Sequence, residues 1–327
     1  MQNFSNTTNG WASLGAERAE GTAKCNEILD LIFSIINGII ALIILAGNSL
    51  TCVIFLSTKH LRQQYMNVFL VSLAISDILM AVMVVPGYAA FCTECNYLTM
   101  DSCWILAQTK DVVFSSTFFS LLAITYDRYL AVLRPLRYNS KMTRRKVICM
   151  LVAIWVTPAI VAAARNIWWL TQADEKAREI NQVYNVILVF TLVFLPAFVM
   201  ALVNALIVRA IQTQNRKILP PARNLEVDHK NNDIFLKETR SENARKRKGT
   251  TACATVVLVF VLSWIPRSVY NFGFVFGNGD LVTPLLVKLS MLFLLLQSCA
   301  NPFIYSFYRA DFRQAARQLL SRFYRSG

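Results

Sequence analysis

The stretch "IFSIINGIIALIILAGNSLTCVIFL" (residues 32–56) contains no charged side chain. At about 1.5 Å per helical residue it is long enough to cross a hydrocarbon core roughly 30 Å thick. A buried helix of a soluble protein would be shorter and would carry a polar face, so this run reads as a membrane span. The run extends to about 29–56, and six similar runs follow at about 68–91, 103–131, 147–169, 183–210, 251–276 and 282–307. Composition agrees: 55% of the 327 residues are hydrophobic and 16% are charged, where a soluble domain carries about 25% charged residues. The expected fold is an all-α membrane protein, a seven-transmembrane helix bundle over 29–307. A tail precedes it at 1–28, and a short amphipathic helix with a cytoplasmic tail follows at 308–327.

The formal net charge of +14 would suggest nucleic acid in a soluble protein, but its placement does not. Alternate inter-span segments hold two (57–67), seven (128–146), eleven (209–248) and five (309–327) of the lysines and arginines, which is 25 of 33. That asymmetry follows the positive-inside rule, puts these segments in the cytoplasm and the N-terminus outside. A nucleic-acid partner is therefore not required. The first 27 residues are polar and lack a cleavable leader pattern, so the first span is expected to start insertion. Asn3 and Asn6 begin glycosylation sequons in the outer tail. Cys25, Cys92, Cys95 and Cys103 fall in or beside outer segments, where disulfides persist. Cys52, Cys149, Cys253 and Cys299 lie within spans or near their inner ends and read as packed thiols.

Ionisable or strongly polar residues inside spans are costly and so are functional candidates, about 2.5–3.5 kcal/mol for a charge on insertion scales. They are Asn48, Asp77, Thr117, Gln297 and Asn301, together with Trp264-Ile-Pro266 and Asn301-Pro302. Asp77 is a lone carboxylate at mid-depth that needs a cation, a proton or a polar cage. Pro266 and Pro302 are expected to interrupt and kink the sixth and seventh helices. The third run ends in Asp127-Arg128-Tyr129 and is followed by a basic, proline-containing loop through Tyr138.

With "AGNSL" (46–50), "LAISD" (73–77), Cys103, "DRY" (127–129), Trp155, "SWIP" (263–266) and "NPFIY" (301–305), one motif per span in order, the chain resembles a rhodopsin-like G-protein-coupled receptor from about residue 30 to 323. The resemblance implies a plasma-membrane, multi-pass receptor with a heterotrimeric G protein and an extracellular ligand as partners. It implies that Asp127 holds Arg128 at rest, and that Arg128 is released when the sixth helix swings outward. It places Tyr129, Asn301, Pro302 and Tyr305 in the same switch, with Leu136 as an apolar plug offered to the G protein. Asp77, Thr117, Gln297 and Asn301 resemble the family's sodium cluster, and hard oxygen ligands suit Na+; a protonated or water-bridged Asp77 is the alternative. No cofactor is obligatory. Beyond Tyr305, the residues Phe312, Ala316, Leu319, Leu320 and Phe323 form an apolar stripe that reads as lying on membrane lipid.

Several positions depart from the family pattern. The second outer loop, 166–183, contains no cysteine, so Cys103 pairs with Cys25, Cys92 or Cys95 or stays free; four cysteines allow three pairings. Two disulfides are expected to tie the N-terminal tail and first outer loop to the third span. Where many relatives place an acid to clasp the arginine, this chain has Lys246 within Arg245-Lys-Arg-Lys248, which predicts signalling without ligand. Asn204 stands in place of a tyrosine after Pro196, and no cysteine follows Cys299 to carry a palmitoyl anchor. Arrestin capture would use Thr213, Thr239, Ser241 or Thr250 of the third inner loop, about 211–249, which is polar, basic and expected to be largely flexible.

The ligand pocket is expected between helices at the outer end, lined by Lys110, Asp111, Trp264, Arg267, Tyr270, Asn271 and Met291. Receptors for biogenic amines carry an aspartate at the position of Lys110, with Asp111 here turned about 100° away, so a simple amine is disfavoured. Lys110, Arg267 and Lys288 together would favour an anionic small molecule or peptide, unless Lys110 pairs with Asp111 and Lys288 snorkels. An opsin needs a Schiff-base lysine where Leu295 stands. A transporter or a non-signalling scaffold is the rival from another class, but internal repeats and rings of pore charge are absent from the sequence. An enzyme is not expected: the two histidines, His60 and His229, lie in inner loops and no nucleophile constellation is present.

Overall fold

A computed structural model describes residues 26–91, 100–171, 190–218, 254–276 and 283–326, with isolated positions at 187, 251 and 281. Each expected span contains helix. The first runs Glu27–Ser57 and is capped by Asn26, whose side-chain oxygen accepts from the Leu29 N–H at 3.0 Å. The second comprises Tyr65–Leu79, a widened turn Met80–Val84 and Val85–Phe91; the third runs Met100–Leu133 and the fourth Arg144–Thr171. The fifth comprises a widened turn Phe190–Phe194 and Leu195–Ile218, the sixth a helix over 254–263 and Ile265–Val275, the seventh Pro284–Tyr308. A terminal helix, Ala310–Ser326, follows directly. Five of these helices are long and apolar enough to cross a membrane by that measure alone. The third misses it because Lys110-Asp111 and Asp127-Arg128 stand near its two ends.

The prolines explain the irregularities. A proline cannot donate to the carbonyl four residues earlier, and its ring crowds that turn. Both widened turns come just before a proline, Pro86 and Pro196, where the extra residue makes room for the ring. In the sixth span the helix breaks at Trp264, whose N–H is shared between the carbonyls of Phe260 (3.2 Å) and Val261 (3.3 Å), and resumes with Pro266 in its first turn. That interruption was expected. The seventh helix, by contrast, continues through Pro302. The carbonyl that Pro302 leaves unmatched belongs to Ser298, and the Asn48 side-chain amide donates to it at 3.3 Å. Pro158 leaves the Ile154 carbonyl unmatched in the fourth helix, and the Ser116 hydroxyl donates to it at 3.2 Å. Neighbouring side chains thus replace the missing backbone donors, as helices buried in lipid require.

These repairs need close helix contact. A Cβ built on Gly47 would lie 2.9 Å from Cγ of Pro302, so glycine lets the first helix approach the seventh. Ser72 and Ser120 hydroxyls meet at 3.1 Å, and the Trp155 indole N–H donates to Ser72 at 3.1 Å, tying the second, third and fourth helices. Two apolar cores result. One, around Phe69, Leu73, Phe118, Phe260 and Tyr305, fills the half toward Arg128. The other, around Ile44, Met80, Phe114 and Leu295, fills the half toward Lys110. The first helix turns Leu31, Ile35, Leu42 and Leu56 outward, as lipid contact demands.

Two sequence boundaries need correction. Residues 211–218, expected at the start of a flexible loop, extend the fifth helix to Ile218. Residues after Arg134, expected as loop, form a short helix Pro135–Lys141, opened by Pro135 at its first position.

Candidate functional site

At the Arg128 end, Asp127 is fully buried and its Oδ2 accepts from Arg128 Nε at 3.0 Å and Nη2 at 2.5 Å. Its Oδ1 accepts from the Tyr138 hydroxyl at 2.8 Å. A buried carboxylate is stable only when its oxygens are matched, and here each has a donor. Burial pushes the Tyr138 phenol above its ordinary range, and the adjoining Asp127 carboxylate pushes it further. Sequence reading missed Tyr138, because only the helix Pro135–Lys141 carries it back to Asp127. Leu136 at the start of that helix is 99% exposed. Tyr129 packs against the neighbouring core.

Between the ends, Asn301 Nδ2 donates to Asp77 Oδ2 at 2.8 Å, both residues being buried. The Ser298 hydroxyl approaches the same carboxylate, although Asp77 Oδ1 has no partner with hydrogen-bond geometry. Thr117 makes no hydrogen bond to Asp77; its single hydroxyl proton is shared between Ser76 Oγ at 2.9 Å and the Val113 carbonyl at 3.2 Å. The expected four-residue set is therefore joined only in part: Asn301 bonds Asp77, Thr117 bonds Ser76, and Gln297 is buried with its Oε1 lacking a donor. Oxygens of Asn48, Asp77, Gln297 and Asn301 remain without donors. Pro302 and Tyr305 are buried beneath them.

Toward Lys110, Trp264 forms the floor, edge-on to Phe114 with centroids 5.7 Å apart and tilted against Phe260 at 5.9 Å. Met291 packs with the same core, where Leu295 is fully buried. Arg267 lies over the Tyr270 ring at 5.1 Å, and Asn271 is partly exposed one residue on. The expectation of three converging cations is corrected here. Lys288 Nζ lies 2.5 Å from Asp30 Oδ1, joining the seventh helix to the first. Lys110 Nζ lies 3.9 Å from Asp111 and 5.4 Å above the Tyr88 ring. Arg267 has no carboxylate partner among the described residues. Asp30 escaped notice because it sits in the opening turn of the first span, where an acid reads as a helix-end residue.

The terminal helix also makes contacts with the bundle that the sequence does not display. Phe312 is buried against the bundle, its ring 5.4 Å from Phe55, and Ala316 and Leu319 pack there too. Arg309, unnoticed in the sequence, is buried where the seventh and terminal helices join. It donates to Asn67 Oδ1 at 2.6 Å and Asp311 at 2.5 Å, and lies over Phe55 at 5.4 Å. Thr213 stands on the extended fifth helix with its hydroxyl bonded to the Arg209 carbonyl at 3.0 Å. Asn3, Asn6, Cys25, Cys92, Cys95, Thr239, Ser241, Lys246 and Thr250 lie outside the described residues, as does the side chain of Cys103.

Comparison with known proteins agrees with this arrangement. A D(5)-like dopamine receptor from Takifugu rubripes is 28% identical over 297 residues, covering 84% of this chain and 64% of the relative. A Gq-coupled rhodopsin from Mizuhopecten yessoensis is 26% identical over 86% of this chain and 57% of its own length. The human histamine H2 receptor is 25% identical over 88% of this chain and 78% of its own length. The chain thus spans less than two thirds of the length of the first two. The model of the seven-transmembrane receptor (rhodopsin) family matches residues 47–305. The Gly47–Pro302 contact, the Asp127–Arg128–Tyr138 set, the Asp77–Asn301 pair and Tyr305 all lie within that match, and the chain belongs to the rhodopsin family of seven-transmembrane receptors.

Proposed function

We propose that this receptor sits in the plasma membrane with its N-terminus outside, binds a ligand at the Lys110 end and activates a heterotrimeric G protein at the Arg128 end. The Asp127–Arg128–Tyr138 constellation carries the reading. A buried acid that holds an arginine by one oxygen and an inner-loop tyrosine by the other forms a catch with two discrete states, in which Arg128 can exchange partners at a cost of a few kcal/mol. The exposed Leu136 on the same short helix is placed to enter an apolar hollow on the partner. Lys246 cannot clasp Arg128, so activity without ligand is part of the proposal. In lipid nanodiscs, the purified chain should accelerate GDP release from at least one heterotrimer before any ligand is added. No acceleration with any major heterotrimer, with or without stimulants, would overturn it. Arrestin would engage phosphorylated Thr213, Thr239, Ser241 or Thr250.

For the ligand, Arg267 is the anchor that the geometry favours. With Lys288 neutralised by Asp30 and Lys110 beside Asp111, a carboxylate or phosphate on an otherwise apolar ligand would find its counter-charge at Arg267, above the Trp264 floor. The dopamine and histamine receptors among the relatives suggest an amine instead, and the neighbouring lysine at Asp111 argues against it. Once an agonist is found, Arg267→Ala should weaken its potency at least tenfold; an unchanged potency would remove the anionic reading and leave the receptor reading intact.

Asp77 fits a sodium ion. Four buried oxygens, on Asn48, Asp77, Gln297 and Asn301, lack a donor, and acceptors without donors suit a hard cation or water. Asp77 and Asn301 would hold it, and it would supply counter-charge that steadies the second and seventh helices.

A further inference from the structure

Lys110 is an unusual neighbour for Asp111. Its side chain is 13% exposed, yet its ammonium sits 3.9 Å from the carboxylate, beyond hydrogen-bonding range, and 5.4 Å over the face of Tyr88. An ammonium has three N–H donors, and among the described residues Lys110 Nζ makes no hydrogen bond. What surrounds it is a negative charge on one side and the electron-rich face of a ring on another. That pairing attracts any ammonium, free or tethered. Tyr88 comes from the second helix and is held by the core that contains Val113 and Phe114, so the ring is fixed by packing and not by the lysine. Several relatives are receptors for amines by name, whereas here a cation supplied by the chain already stands among such groups.

We propose that Tyr88 and Asp111 form an ammonium-binding subsite that the receptor fills with its own Lys110. The inference rests on the reading of the Lys110 end as the ligand pocket. It makes Lys110 a specificity-determining residue: the internal ammonium excludes external amines, and the pocket is left to ligands that Arg267 selects. Truncating the lysine would empty a space with the length and charge of a short alkylammonium.

The test uses the full chain in nanodiscs, with Lys110→Ala and Lys110→Ser as independent variants and n-butylammonium as the probe. Thermal unfolding should show a saturable, probe-dependent rise in midpoint for either variant that unfolds cooperatively, and none for the native chain. Adding Asp111→Asn to the responsive variant should weaken the probe at least tenfold, and Tyr88→Leu should weaken it too. Stabilisation of the native chain to the same extent would overturn the proposal, as would a folded variant that does not respond. Ligand-free GDP release is read on the native preparation. If it is absent while the variants respond, the claim of ligand-free activity fails and the subsite stands; if it is present while they do not respond, only the subsite falls.

Discussion

Replacing Tyr138 by phenylalanine isolates one bond of the Arg128 catch. The hydroxyl donates to Asp127 Oδ1 at 2.8 Å, and Asp127 is fully buried. Phenylalanine keeps the ring and its packing, so the lost interaction is a hydrogen bond to a charged group, worth about 1.5–3 kcal/mol. Tyr138 is only partly buried, and water can replace part of the bond, which favours the lower end. If the bond exists only in the closed state, its loss shifts the closed-to-open ratio by roughly tenfold, at about 1.4 kcal/mol per factor of ten. The assay is ligand-free GDP release from a reconstituted heterotrimer, with receptor amount fixed by a denatured-state stain. A clear rise in basal rate for Tyr138→Phe is expected, together with a smaller gain on saturation by any agonist. An unchanged or slower basal rate would refute the assignment of Tyr138 to the resting state. The sign with pH is also determined. Burial and the Asp127 carboxylate raise the phenol in the folded protein, so the neutral donor is favoured. Its contribution is complete below the ordinary phenol value of about 10 and is lost only as pH rises through the higher folded value. The bond should therefore add no pH dependence to basal GDP release across the neutral range.

Other perturbations test the frame that holds this catch. Gly47→Ala drives a Cβ to 2.9 Å from Pro302 Cγ, and should cost about 1–3 kcal/mol of overpacking, read as a lower thermal midpoint. Asn48→Leu leaves the Ser298 carbonyl without its donor and should cost about 1–3 kcal/mol. Lys288→Met strands Asp30 and should cost about 3–5 kcal/mol, while adding Asp30→Leu should recover much of it; the pair of midpoints checks both. Replacing sodium by choline should lower the midpoint of the native chain and leave that of Asp77→Asn unchanged, whereas equal responses would remove sodium from Asp77.

Much of the bundle could be read from order alone. The number of spans, the glycine in "AGNSL", the acid in "LAISD" and the break at Pro266 stand where the residues placed them. The C-terminal stripe was legible as a stripe, but its contact with the bundle was not. Phe312 has an aromatic neighbour in Phe55 that periodicity cannot display, and so the helix leans on the bundle with that side chain. The family resemblance groups Thr117 with Asp77, but a shared motif position does not say which polar group is nearer, and Thr117 bonds Ser76.

What the sequence by itself determined is therefore what depends on single residues. Transfer of apolar runs out of water sets where the chain crosses, proline sets where a backbone donor is missing, and lysine and arginine set which segments stay with the aqueous phase. What only the tertiary structure decided is pairing between elements. Asp30 meets Lys288, Tyr138 meets Asp127, Arg309 meets Asn67, and Ser116 and Asn48 close the carbonyls left by Pro158 and Pro302. The reason is that a charge or a hydrogen-bonding group in a low-dielectric interior costs free energy until it is matched, and the match is found by distance in space, which spacing along the chain does not encode.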